Sequence, residues 1–186
     1  MNTNNNLPTL TDLYSGKIET KRKKNELNVL LNQPPKEDWI KKHPFAANVK
    51  YLPIERVEFL LTMLFIDWRV EVKNIMVIAN SVVVTIRLHY QNIIDNEWSW
   101  QDGIGACPIQ TEKGAGAVDW NKTNNDAVMK AAPAAESYAI KDAAEKLGKI
   151  FGKDLNRKDE IGYTSLLKGG IAKTDLAKIL DNETTE

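Results

Sequence analysis

Arg87 and His89 alternate with apolar residues between Ser81 and Gln91, so an extended chain puts them on one side with Thr85 and Gln91. That row reads either as an ordinary solvated face or as the floor of a groove for phosphates. Trp120 stands in the polar stretch TEKGAGAVDWNKTNN, where packing accounts for an indole poorly. A nucleobase stacked on such a ring is worth about 1–3 kcal/mol. Trp98 and Trp100 share a face two residues apart and read more readily as core or inter-subunit packing than as stacking platforms. Lys21-Arg-Lys-Lys24 is either a phosphate-binding run or a plain solvated one.

Other chemistries find no support. Gly103-Ile-Gly105 meets Pro108 where a dinucleotide fingerprint needs its third glycine, and Gly114-Ala-Gly116 lacks the Gly-Lys-Ser of a phosphate loop. His43 and His89 fall in different segments without a nearby cysteine, so no metal ligand set is legible. Asp102 has no second carboxylate at a spacing that implies acid–base work. Cys107, the one cysteine, reads as a small buried hydrophobe and suits a reducing, cytoplasmic setting. The expectation is a non-enzyme with no cofactor and no metal. No apolar run nears the roughly 20 residues of a membrane span, and the polar start MNTNNN has no apolar signal core.

The 186 residues are 42% apolar and 27% charged, which argues against a disordered chain and a disulfide scaffold. The 25 basic and 25 acidic residues cancel, so nucleic-acid binding must come from a local patch or from one patch repeated in an oligomer. Residues 1–50 carry 9 Lys/Arg against 5 Asp/Glu, or +4; residues 51–110 carry 4 against 7, or −3; and 111–186 carry 12 against 13, or −1.

The elements that must position these residues read as α+β. Residues 1–25 are expected to be a flexible basic arm, 26–156 the core domain, and 157–186 a tail with a weak helix near 175–180. Two short N-terminal helices follow the arm, the second opening at Pro34-Pro35 with Trp39 and Ile40 inward and ending at His43-Pro44. Ile54, Val57, Leu60, Leu61, Leu64 and Phe65 recur at three- and four-residue steps, one helical stripe. Strands are expected from Trp68, over Ser81–Gln91 and from Glu97, forming an antiparallel three-stranded (or larger) meander packed on a long helix. That helix is expected over 134–152, with Tyr138, Ala139, Ala143, Leu147, Ile150 and Phe151 largely inward. Gly148 would then sit mid-helix at about 1 kcal/mol, implying a close approach to the sheet. The loop 111–125 is expected to be mobile.

Three motifs in order resemble the Rad-fifty-two-type single-strand annealing proteins, including their bacterial and phage relatives of the DNA damage response protein A type. Tyr51-Leu-Pro-Ile-Glu-Arg-Val57, running through Phe65 to Trp68, resembles that family's opening helix and its Trp-led strand. Asp102-Gly-Ile-Gly-Ala106 is similar to its Asp-Val-Gly-Tyr-Gly strand ending, and Glu136-Ser-Tyr-Ala-Ile-Lys141 to Leu147-Gly-Lys-Ile-Phe-Gly152 to its long helix. The likeness covers about residues 50–156.

The resemblance implies a β-β-β-α core that forms a ring or filament homo-oligomer. It implies sequence-independent binding of single-stranded DNA and ATP-independent annealing of complementary strands in recombination or repair, with a single-strand-binding protein as a further partner. Arg56 and Lys141 match family DNA-binding positions. Asp142 and Glu145 stand where the family has arginines, so the phosphate contacts shift to neighbours such as Lys146, Lys149 and Lys153. The DNA-binding set is therefore Arg56, Lys141, Lys146, Lys149, Arg87 and Trp120. The other class open to the sequence is a protein–protein interaction or structural subunit without DNA activity.

Overall fold

A computed structural model describes residues 17–43, 49–116 and 119–157. The chain forms two compact units, and Gln33–Asn156 is the one that carries the sheet. In the other, helix α1 spans Ile18–Leu31 and takes in Lys21 to Lys24, so residues 18–25 of the expected flexible arm are helical. Its amphipathicity is weak: most of its side chains are exposed and Leu31 alone is buried. The tail helix expected near 175–180 lies outside the described residues.

Within Gln33–Asn156, Pro34-Pro35 opens only a single turn, Glu37–Trp39, rather than a second helix. Ile40 is already extended, and the chain enters a two-stranded antiparallel sheet of β1, Lys41–Lys42, and β2, Lys50–Tyr51. Pro53, fixed near the φ of a helix start, precedes α2 at Ile54–Leu64. Val57, Leu60 and Leu61 of the apolar stripe are buried there. Phe65 follows, its ring 4.7 Å from that of Tyr90.

The core is α+β: strands β3 (Trp68–Ile78), β4 (Ser81–Gln91) and β5 (Trp98–Pro108) form an antiparallel meander in the order β3-β4-β5. The register runs from Trp68 opposite Tyr90 to Ile78 opposite Ser81, with a bulge between Val72 and Asn74. On β4 the alternation is sharp. Val82, Val84, Ile86 and Leu88 are buried on one side, each contributing about 1.5–3 kcal/mol of burial, while Thr85, Arg87, His89 and Gln91 occupy the other.

The long helix α3 is Ala127–Glu145, seven residues earlier at each end than its sequence pattern suggests, and packs across β4 and β5. Pro133 lies inside it, where the pattern reads as a start. What holds it is a ridge of small residues at four-residue steps, Ala127, Ala131, Ala135, Ala139 and Ala143, all buried. The ridge meets glycines. A Cβ added to Gly103 would overlap the Ala139 carbonyl oxygen, and one on Gly105 the Ala135 carbonyl oxygen. Gly103 and Gly105 of Asp102-Gly-Ile-Gly-Ala106 thus make a close approach to α3, whereas Gly148, expected mid-helix, lies beyond the helix in extended backbone. Tyr138, expected inward, is exposed. Phe151 is buried as expected, and Leu147 and Ile150 are half-buried.

After α3 the chain turns at Gly152, whose φ of +100° favours glycine. It then returns to β2. Asn156 Oδ1 accepts a hydrogen bond from the Lys50 amide at 2.8 Å, and its Nδ2 donates to the Lys50 carbonyl at 2.8 Å. In the 111–125 loop, Thr111 and Thr123 form an isolated antiparallel bridge beside the turn Trp120–Lys122.

Candidate nucleic-acid interface

The start of α2 and the outer side of α3 bring cations against aromatic rings. The Lys141 ammonium lies 4.6 Å from the centre of the Tyr138 ring, one turn earlier on α3, and 5.2 Å from that of Tyr51, just before α2. The His43 ring meets Tyr51 edge-on, with centres 6.2 Å apart. The Arg56 guanidinium, in the first turn of α2, lies 5.6 Å from the Trp39 ring, which also holds Lys36 at 5.3 Å and packs edge-on against Phe59. Each separation is within cation–π reach.

Lys141 is half-buried, and among the described residues no carboxylate lies within ion-pairing distance of it. Burial pushes its pKa down, while the charges of Glu145 and Glu55 push it back up. The carboxyl of Glu145 is raised, first by burial and then by Asp142. A cation held by rings in a partly dry setting interacts strongly with an arriving anion, because the field is less screened than in water. Lys41, Lys42 and Lys50 project exposed from β1 and β2, beside Tyr51. These three and Lys36 were not singled out by sequence. The +4 of residues 1–50 was a signal for them, but it drew attention to the Lys21 run.

The six expected DNA-binding residues do not form one surface. Arg56 lies against Trp39 at the start of α2, and Lys141 against Tyr51 and Tyr138 on α3. Lys146 instead caps the outer edge of β5: its ammonium donates to the Asp102 carbonyl and sits 3.0 Å from Asp142, whose carboxylate accepts from the Ile104 amide at 3.1 Å. Asp142, a departure from the family pattern, thus satisfies an edge-strand amide. Lys149 is corrected more sharply, since it forms a 3.2 Å ion pair with Asp154 in which both side chains are only 14% exposed. A role in phosphate contact does not suit it. Lys153 is exposed.

Arg87 lies on the sheet face opposite α3. It grips Asp102 with two hydrogen bonds, 2.7 and 2.9 Å, and stacks 3.8 Å over the Trp100 ring. Arg69 lies 4.8 Å over Trp98 on the same face. There too Glu71 holds His89 at 3.1 Å and Lys73 at 3.0 Å. Trp98 and Trp100 are 42% and 52% exposed, so neither is a core residue of this chain. Trp120 is exposed, at the start of the turn Trp120–Lys122.

Among the described residues, no cluster of three His, Cys, Asp or Glu is placed to hold a metal ion, and no helix is long and apolar enough to cross a membrane. No protein-family model matches this chain, and no curated protein matches it.

Proposed function

We propose that this protein binds single-stranded DNA without sequence preference and anneals complementary strands without ATP, as a homo-oligomer acting in cytoplasmic recombination or repair. The observation that carries the reading is Lys141 held between Tyr51 and Tyr138, with Arg56 on Trp39 in the first turn of α2. Phosphates would take the cations, and bases would take the ring faces, which accept any base. The motif resemblance to the Rad-fifty-two-type annealing proteins supports the same residues, Arg56 and Lys141, and suggests a single-strand-binding protein as a partner.

A labelled oligonucleotide titrated at several salt concentrations tests it. Affinity should fall steeply with salt, each lost phosphate contact should lower the single-strand slope by about 0.7, and duplex should compete poorly. Mixing complementary strands should then speed their pairing. A second reading, an interaction or structural subunit without DNA activity, is favoured by one observation: Arg87, Lys146 and Lys149 are all tied to carboxylates. Salt-independent or absent binding in the same titration selects it.

A further inference from the structure

The two edges of the sheet are finished differently. On β5 the Ile104 amide and Asp102 carbonyl are taken up by Asp142 and Lys146, which stand where an added strand would lie. The edge of β3 has no such cap among the described residues. Its last five residues, Asn74-Ile-Met-Val-Ile78, carry no charge and no proline. Ile75, Met76, Val77 and Ile78 are between 41% and 60% exposed. Natural sheets blunt their edges with charge, proline or a covering element, and among the described residues one edge is blunted while the other is left open.

We infer that the outer edge of β3, Asn74–Ile78, pairs antiparallel with the same strand of a second copy across a two-fold axis at Met76. This deepens the self-association in the proposed function and does not depend on DNA binding. The occupant follows from the pattern. Centred on Met76, the pairing sets Ile75 opposite Val77 and Asn74 opposite Ile78, so branched apolar residues meet across the axis. A shift one way brings in Lys73 at the bulge, and a shift the other way runs off the strand end into the turn. With 25 basic and 25 acidic residues, two copies meet without net repulsion. A cleft of about 160 Å³ lies between β3, β4 and α3 beside this strand, lined by Val72, Ile75, Val84, Ala132, Pro133 and Glu136. Because Asp142 and Lys146 occupy the middle of the β5 edge, head-to-tail addition of β3 to β5 is disfavoured, and the sheet closes as a pair. A larger ring or filament then requires a further surface.

The experiment uses the full chain with Cys107→Ser, so that an introduced thiol is the only one. Met76→Cys should give an intermolecular disulfide under mild oxidation, since residues facing across an antiparallel pair hold their Cα atoms about 4.5–5.5 Å apart, within bonding range. Ile104→Cys, on the capped β5, should give several-fold less. Separately, Val77→Lys should drop the particle seen by light scattering to half its mass while the melting curve stays cooperative, as the residue is exposed in the single chain. A parent protein that is monomeric at tens of micromolar overturns both this interface and the self-association behind it. A parent that assembles, yet cross-links no better through Met76→Cys than through Ile104→Cys, overturns the β3 pairing alone.

Discussion

Arginine or lysine stacks on aromatic rings in two places, and only one of them is poised to receive an anion. On the open face of the sheet, Arg87 is held by both oxygens of Asp102 and covers Trp100, while His89 and Lys73 share Glu71. At the α2–α3 junction, Lys141 and Arg56 rest on Tyr51, Tyr138 and Trp39, with carboxylates nearby and not in contact. The first arrangement spends its charge internally and fixes the register of strands. The second holds its charge ready for a ligand. Counting cation–aromatic pairs does not separate the two; asking where each carboxylate sits does.

The largest expected effect tests whether the junction depends on α3 lying flat. Gly103→Val puts a branched side chain into the backbone of α3, where no rotamer change relieves it, and should destabilise by more than the roughly 1–3 kcal/mol of ordinary overpacking. A urea midpoint close to the parent's would show that the helix lifts freely and that the geometry at Lys141 is not fixed by it. Next in size, Arg56→Ala with Lys141→Ala should weaken single-strand binding and lower the salt slope by about 1.4, twice the per-phosphate value, with assembly unchanged. Arg87→Ala should leave that slope within error; an equal loss would erase the distinction between the two regions.

A smaller effect depends on pH. The Glu145 carboxyl is raised by burial, so as pH falls into the range just above the usual glutamate value it becomes neutral before an exposed one does. Removing that charge beside Lys141 should tighten DNA binding, and Glu145→Gln should be tight throughout and lose the step. The smallest effect belongs to the open face. Asp102 is held below the usual carboxylate range, first by its hydrogen bonds to Arg87, so its contribution to stability is present above that range and fades as pH drops through the lowered value. Asp102→Asn should flatten the acid limb of a melting-temperature profile slightly and leave DNA binding unchanged.

The elements visible in the sequence were those whose burial has a strong period. Val57, Leu60 and Leu61 on α2 and the alternation of β4 could be read directly, and with them the order helix, three strands, helix. The true register of α3 could not, because its buried ridge is alanine, which leaves little hydropathy contrast, and because Pro133 imitates a helix start. The close approach of Gly103 and Gly105 to α3 was missed, since two glycines within a strand stand out less than one in a helical pattern. The site was legible in part. Arg56 and Lys141 were singled out by motif, whereas Lys41, Lys42 and Lys50 come together only once two dipeptides 8 to 10 positions apart pair as strands. Lys149 was misread because its partner, Asp154, reaches it only after the chain reverses at Gly152.

Asn156, which bonds both backbone groups of Lys50 from 106 positions away, has a kinetic consequence. Contacts between residues so distant in sequence form only after the chain between them has been ordered, since closing a long loop is entropically costly before other contacts reward it. Tyr51, the residue after Lys50, and Lys141 are similarly remote, so the junction is completed late in folding. It is also suited to open early, because a few exposed hydrogen bonds hold it while the β4 core stays packed. Amide exchange at Lys50 should therefore outrun exchange at Ile86 by orders of magnitude, and Asn156→Ala should raise the Lys50 rate while leaving Ile86 unchanged. The proposed DNA-binding surface is then the last part of this fold to form, and a bound strand, by bridging α2 and α3, would slow its opening.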